Sequence, residues 1–185
     1  PNGCLADFIA PKTSGGRDYL GAFAVTTGIG EPHKGKEFVA ANDDYRAILV
    51  QALADRFAEA LAERLHERVR REFWAYAHEE ALDGAALLRE EYRGVRPAPG
   101  YPACPNHDLK DDIFRLLDAE RAIGAQLTES WAITPTASVA GLYFAHPEAR
   151  YFGIGRIGED QVADYAARRG IPLAQARRRL GSLLD

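Results

Sequence analysis

The 185-residue sequence contains no methionine and only two cysteines, Cys4 and Cys104. Two cysteines are too few for a disulfide framework, so we expect a reducing, cytoplasmic setting. No apolar run approaches the roughly 20 residues that cross a bilayer, and no secretory signal opens the chain, so we expect no membrane partner. Because the sequence begins Pro-Asn-Gly without an initiator, we expect a processed product or a piece of a longer protein.

An excess of basic charge is also missing, since the formal net charge is −4. Nucleic-acid binding needs a basic face, so we expect no nucleic-acid partner. The hydrophobic fraction of 46% and the charged fraction of 27% are ordinary for a globular protein. The sequence shows no internal repeat and no interdomain linker. We therefore predict one domain over residues 1–185.

The spacing of apolar residues predicts an α+β fold, with a small, mostly antiparallel sheet packed against one long and several shorter helices. The long helix is predicted to begin after an Asn42 cap and to end near Phe73. Its core-facing stripe is predicted at positions 45, 49, 52, 53, 60, 61, 65 and 69. Strands are expected at 19–27, 127–131, 138–144 and 151–157, a loop at 28–35, and shorter helices at 85–92, 108–117, 159–169 and 172–180.

Several short motifs suggest chemistry but lack essential partners. The G-x-G-x-x-G run that starts at Gly153 has no second strand and no acidic residue to complete a dinucleotide site. His66 begins an H-E-x-x-H pattern whose fifth position is Arg70, so we expect a polar-face or partly buried histidine. Cys104 and His107 supply two metal ligands where a closed site needs four. The sequence therefore predicts no catalytic residue and no metal site.

The most unusual stretch is residues 93–107, R-G-V-R-P-A-P-G-Y-P-A-C-P-N-H, which contains four prolines and two glycines. Such a peptide is stiff and extended, with one tight bend at Gly100. Arg96 offers a guanidinium that can pair with a carboxylate through two hydrogen bonds, and Tyr101 offers a ring. A cradle for a small zwitterion with a flat heterocycle is one interpretation. The other is an ordered linker between helices. We refer to this stretch as the proline ribbon.

The segment R-P-A-P-G-Y-P-A-C-P, at residues 96–105, resembles the signature loop of the activation domain of cobalamin-dependent methionine synthase. Further segments are similar to the same domain, so that the resemblance runs nearly from end to end. They include C-L-A-D-F-I-A-P-K and L-T-E-S-W, and they cover residues 4–12, 18–26, 52–70, 127–131 and 160–170. The family domain is considerably longer on its N-terminal side. The resemblance therefore implies that this chain corresponds to the C-terminal portion alone, with a ligand site that is open on one side.

The resemblance implies that the chain binds S-adenosylmethionine. Arg96 would pair with the carboxylate of the ligand and Glu59 with its ammonium group. Backbone groups of Ala103 would bind adenine, while Tyr101 and Tyr151 would supply aromatic faces, which a sulfonium favours. At the position after Tyr151 the family can have a second tyrosine. This chain has Phe152 there, which keeps a ring and loses a hydroxyl. The implied binding residues are Glu59, Arg96, Pro97, Gly100, Tyr101, Ala103, Tyr151 and Phe152.

The function implied by the resemblance is reductive remethylation of inactive cob(II)alamin within a methyltransferase, methionine synthase. The expected partners are the cobalamin-binding domain of the synthase and flavodoxin or a similar reductase. Cobalamin and zinc would be bound by other domains. Two alternatives stay open: an interaction module that docks on a corrinoid protein or reductase without a nucleoside, and a methyltransferase for a small molecule. The second would need an acid or base near Tyr101 that the sequence does not reveal.

Overall fold

The computed structural model describes residues 3–184 and shows an α+β arrangement around a small antiparallel sheet. Strand β1 (Gly21–Thr26) pairs with strand β4 (Ser138–Tyr143), in a register that runs from Gly21 opposite Tyr143 to Thr26 opposite Ser138. Strands β2 (Gln126–Leu127) and β3 (Ile133–Thr134) form a short separate hairpin. The predicted fold class is therefore confirmed.

Helices cover both faces of the sheet. Helix α2 (Asp44–Arg68) is the longest and continues into a π-helical turn, Val69–Phe73, so its predicted end is confirmed. The remaining helices are α1 (Glu31–Ala40), α3 (Gly84–Leu88), α4 (Leu109–Leu117), α5 (Ala119–Ile123), α6 (Glu159–Arg169) and α7 (Leu173–Arg179). None of the helices in the described part of the chain has both the length and the apolar character that a membrane span requires.

The cap of α2 lies one residue later than predicted. The carboxylate of Asp43 accepts a hydrogen bond of 3.0 Å from the backbone N–H of Arg46, which satisfies a donor of the first helical turn. Asn42 instead has a φ of 56° and forms the turn between α1 and α2. Asparagine tolerates this left-handed conformation better than most residues, so it suits the turn equally well.

The buried face of α2 differs from the predicted stripe. The buried residues of the helix are three alanines and a histidine: Ala54, Ala58, Ala62 and His66. Several predicted core residues are solvent-exposed, with Tyr45 at 76%, Leu53 at 47% and Leu61 at 42%. Small side chains allow the helix backbone to lie close to the sheet, which turns the neighbouring row of large apolar side chains outward. Leu65 and Val69 do pack on the core as predicted.

Other element predictions need smaller corrections. The predicted loop at 28–35 contains the start of α1, which Pro32 opens within the first helical turn. No strand forms at 151–157, where the described chain is irregular. Of the strand expected at 127–131, only Leu127 lies in a strand, β2, because the chain turns from Thr128 to Trp131, where the N–H of Trp131 donates to the carbonyl of Thr128 at 2.9 Å. The helix expected at 85–92 ends at Leu88.

The C-terminal helices form a small unit with its own core, built from Val162, Ala166, Ala176 and Leu180. The unit is joined to the rest of the molecule by the carboxylate of Asp108, which is buried and contacts the guanidinium groups of Arg169 and Arg179. A hydrogen bond from the Asn106 amide to the Tyr165 hydroxyl lies beside it. The C-terminal pair is therefore anchored at the end of the proline ribbon.

Candidate functional site

The proline ribbon lies along the edge of β4 that faces away from β1. Val95 and Phe144 exchange two backbone hydrogen bonds of 3.0 Å, and the N–H of Leu142 donates to the carbonyl oxygen of Pro97 at 3.0 Å. Gly94 has a φ of 84°, and a Cβ atom at this position would lie 2.3 Å from the carbonyl oxygen of Phe144. Glycine is thus required for the ribbon to approach the strand so closely.

The ribbon then folds into two successive turns around Tyr101. The N–H of Tyr101 donates to the carbonyl of Ala98 at 3.2 Å, and the N–H of Cys104 donates to the carbonyl of Tyr101 at 2.8 Å. Within residues 3–184, the N–H and C=O of Ala103 make no hydrogen bond, although this residue is 6% exposed. Buried backbone groups are normally paired, so a ligand that supplied a donor and an acceptor would satisfy them.

Burial also governs the cysteine of this turn. Removal from water raises the pKa of the Cys104 thiol to about 11, although the ammonium group of Lys110 acts in the opposite direction. Lys110 contacts His107 Nδ1 and donates to the carbonyl of Trp131, both at 3.0 Å. These contacts tie the end of the ribbon to α4 and to the β2–β3 hairpin.

A cavity of about 670 Å³ opens between the ribbon, α2 and the irregular segment after β4. Its volume lies within the range of small-molecule sites. Gly100 lines an adjoining cavity of about 240 Å³ that shares Tyr101 and Glu59 with the first. The structure brings seven of the eight predicted binding residues to the larger cavity: Glu59, Arg96, Pro97, Tyr101, Ala103, Tyr151 and Phe152.

Arg96 presents its guanidinium to the cavity without a carboxylate partner. Its Nη1 donates to the hydroxyl of Tyr92 at 3.1 Å, and its backbone N–H donates to the hydroxyl of Tyr151 at 3.0 Å. No carboxylate of the described residues lies within 4.0 Å of this guanidinium. Burial acts to lower the pKa of Arg96, but nearby oxygens of Tyr92, Tyr151 and Glu63 outweigh it and raise the pKa. The group is therefore a fixed cation that is free to bind an acid.

A layer of aromatic polar residues lies beneath Arg96. His66 is fully buried, stacks on Tyr143 with ring centroids 5.2 Å apart, and meets the edge of Tyr92 at 5.1 Å. Burial, assisted by the charges of Arg70 and Arg96, lowers the pKa of His66 to about 2. The imidazole is therefore neutral and adds no charge beside the guanidinium. The prediction of a polar-face or partly buried histidine is wrong.

Burial likewise raises the pKa of the Tyr92 and Tyr143 phenols. Both phenols stay protonated at neutral pH, so the layer holds no negative charge that would compete with a ligand carboxylate for Arg96. The guanidinium of Arg70, which is 1% exposed, is paired with Glu80 and lies 4.4 Å from the Tyr92 ring. The Tyr92 ring is thereby held by contacts with both His66 and Arg70.

Two carboxylates and several rings complete the wall of the cavity. Glu59 extends from the exposed side of α2, as its position in the helix predicts, and Glu90, which has a φ of 57°, lines the same cavity. Tyr101 is 59% exposed and forms a rim. The ring of Phe152 packs against the ring of Phe8, with the two ring centroids 6.3 Å apart. The arrangement places a cation and two anions around an aromatic cleft.

The sequence reasoning missed part of the lining. These residues are Phe23, Glu90, Tyr92, Ala98, Pro102, Val139 and Gly153. Phe23 and Val139 come from the paired strands β1 and β4, so only the pairing of the strands reveals them. Tyr92 is four residues before Arg96, but its contact depends on the bend at Gly94. Gly153 is the first glycine of the G-x-G-x-x-G run, which matches a dinucleotide-binding motif only in its spacing.

The fold and the cavity define an α+β domain whose proline-rich ribbon walls a cleft of small-molecule size. A sequence model for the activation domain of vitamin B12-dependent methionine synthase matches residues 1–170, and the chain belongs to this family. A crystal structure described as the MetH reactivation domain bound to AdoHcy is 54% identical, with a TM-score of 0.95. The alignment covers 98% of this chain and 56% of that chain, so this chain spans about half the length of the solved domain.

Proposed function

We propose that the chain binds S-adenosylmethionine in the 670 Å³ cavity and so supports the reactivation of a cobalamin-dependent methionine synthase. The observation that carries the proposal is the guanidinium of Arg96, which faces the cavity with no carboxylate partner among the described residues. Similarity to a reactivation domain described as bound to AdoHcy supports it, because AdoHcy is S-adenosylmethionine without the transferable methyl group.

The lining offers partners for the charged groups and for the adenine of the ligand. Arg96 pairs with the carboxylate through two parallel hydrogen bonds. Glu59 receives the ammonium group, and the unpaired N–H and C=O of Ala103 bind the edge of adenine. Tyr101 and Tyr151 present their rings to the nucleoside and the sulfonium. Pro97 and Phe152 shape the wall, to which Phe152 contributes a ring without a hydroxyl, while Gly100 lines the adjoining cavity.

The contribution of the chain to the reaction is positioning. Cob(II)alamin held by another domain would be converted to methylcobalamin by one electron from flavodoxin or a similar reductase and by the methyl group of S-adenosylmethionine, and the sulfonium would leave as a neutral thioether. No proton is transferred, so the cavity needs no general acid or base. Arg96 and Ala103 hold the carboxylate and the adenine of the ligand, and the sulfonium with its methyl group lies between these two ends.

The open side of the cavity is the proposed docking face for the cobalamin-binding domain of a synthase. The methyl group has to reach a cobalt atom held by that domain, so the rim residue Tyr101 would lie at the contact. The reductase acts on the same assembly. The chain would in this way serve a methyltransferase whose remaining sites, including zinc, lie in other domains.

Calorimetric titration of the chain with S-adenosylmethionine and with AdoHcy tests the proposal. Arg96→Ala should weaken binding of both ligands at least about tenfold, because a charge-assisted pair contributes roughly 1.5–3 kcal/mol. The matched control is Arg121→Ala, since Arg121 has a side chain that is 83% exposed and lies outside the cavity. Equal affinity of wild type and Arg96→Ala would contradict the assignment. Absence of binding by the wild type would contradict the function itself.

A further inference from the structure

The sheet has an open edge at β1. Even-numbered residues of β4 direct their backbone groups toward the proline ribbon, as the hydrogen bonds of Leu142 and Phe144 show. Odd-numbered residues of β4 therefore pair with β1. By the same alternation, the N–H and C=O groups of Ala22 and Ala24 point away from β4. Within the described residues β1 has no second neighbouring strand.

Helices extend past this edge on both faces of the sheet and enclose a slot of about 360 Å³. On one face the wall comes from the end of α2 and the π-helical turn, and on the other it comes from α4 and α5. The wall side chains are almost entirely apolar: Leu65, Val69, Phe73, Leu117, Ala122 and Ile123. The slot thus lies in the layer of the sheet, between two helical layers.

The slot has the shape and chemistry for one more strand. Free N–H and C=O groups along an edge are a template for backbone pairing, and apolar walls above and below accept side chains that alternate between the two faces. A helix would leave the edge groups of Ala22 and Ala24 unpaired, because its own backbone groups are already paired within the helix. Phe73 is 59% exposed, so the wall is incomplete without an occupant.

The comparison with the solved reactivation domain indicates the source of the occupant. That chain has polypeptide beyond the 56% that this chain spans, while the shared part superposes with a TM-score of 0.95. We propose that a β-strand from polypeptide equivalent to this remainder adds to the edge of β1 and fills the slot. The inference concerns how the domain is completed and does not depend on ligand binding in the 670 Å³ cavity.

Short overlapping synthetic peptides that cover the remainder of the MetH reactivation domain provide the probe. Each is titrated against this chain by fluorescence anisotropy, and amide hydrogen exchange is then followed by NMR. We expect one peptide with alternating apolar residues to bind and to slow exchange at Ala22 and Ala24. In the free chain these two amides should exchange faster than those of Phe23 and Val25, which pair with β4.

Matched variants make the test specific. Phe73→Asp places a charge in the slot wall and should weaken peptide binding at least about tenfold. Leu88→Asp makes the same change at a side chain that is 84% exposed on α3, outside the slot, and should have no effect. The proposal fails if no peptide binds, if binding leaves the amides of Ala22 and Ala24 unprotected, or if both variants bind alike. Protection of these amides by a second copy of the chain would also overturn it.

Discussion

At the scale of single residues, His66 carries a measurable consequence of burial. Its pKa is about 2 in the folded chain, against an ordinary value of 6.5. Between pH 6.5 and 2 the imidazole is protonated in the unfolded chain but stays neutral in the folded chain. The contribution of His66 to the free energy of unfolding is therefore fully present above pH 6.5 and is lost as the pH falls. The loss reaches at most about 1.4 kcal/mol per pH unit.

The variant His66→Phe keeps a flat ring between Tyr92 and Tyr143 but removes the titration. We expect its free energy of unfolding, measured by urea denaturation from pH 7.5 to 4.5, to fall less steeply than that of the wild type. His33→Phe serves as the control, because that imidazole is 82% exposed, and should reproduce the wild-type slope. Parallel profiles for wild type and His66→Phe would show that the buried histidine is not responsible.

Residues of the candidate site differ in how well the sequence predicts them. Arg96, Pro97 and Tyr101 lie within one short ribbon, so local composition and the family resemblance identify them together. Glu59 has no local signal, because a glutamate on a helix is normally just solvated. Glu90 and Tyr92 reach the cavity only through the bend at Gly94, and no spacing rule predicts where such a bend directs the chain.

At the scale of elements, α2 shows why apolar periodicity is ambiguous. Two neighbouring rows with i, i+4 spacing run along this helix: one of large side chains through Leu53, Phe57 and Leu61, and one of alanines through Ala58 and Ala62. Hydropathy favours the first row, but the structure buries the second. Close approach of the helix to the sheet decides the outcome, and that distance is set by partners far away in the sequence.

A pair of identical substitutions tests the packing of α2. Ala62 is 1% exposed and belongs to the core around Phe23 and Tyr143, so Ala62→Leu should destabilise the fold by about 1–3 kcal/mol through overpacking. Ala60→Leu, two residues away on the exposed side, should change the stability by less than about 0.5 kcal/mol. Chemical denaturation of both variants measures the difference. The reverse order would mean that the sequence-predicted stripe, and not the alanine row, faces the core.

At the scale of the whole molecule, Asp108 links the C-terminal helices to the site-bearing part. Asp108→Ala leaves the guanidinium groups of Arg169 and Arg179 without their shared partner, and breaking a buried pair of this kind costs about 3 kcal/mol. We expect a lower urea midpoint and faster amide exchange in α6 and α7. Asp164→Ala removes an exposed partner of Arg168 and should cost less than about 1 kcal/mol. Equal losses in the two variants would assign no linking role to Asp108.

The global architecture was more predictable than its details. Alternation of strand-like and helical segments predicts an α+β domain, and the long helix ends where expected. The sequence could not reveal that 151–157 is irregular, because its glycines and aromatics are also compatible with a strand. Nor could it reveal that β1 lacks a second neighbour, since an open edge is a property of the assembled sheet.

The protonated state of Cys104 has a consequence for chemical selectivity. A sulfonium donor alkylates whichever nearby nucleophile is most electron-rich, and thiolates are among the best in any protein. With its pKa at about 11, the sulfur adjoining Ala103 is a thiol at physiological pH and is inert toward such a donor. The turn from Tyr101 to Cys104 can therefore contain a cysteine that the proposed ligand, S-adenosylmethionine, does not methylate.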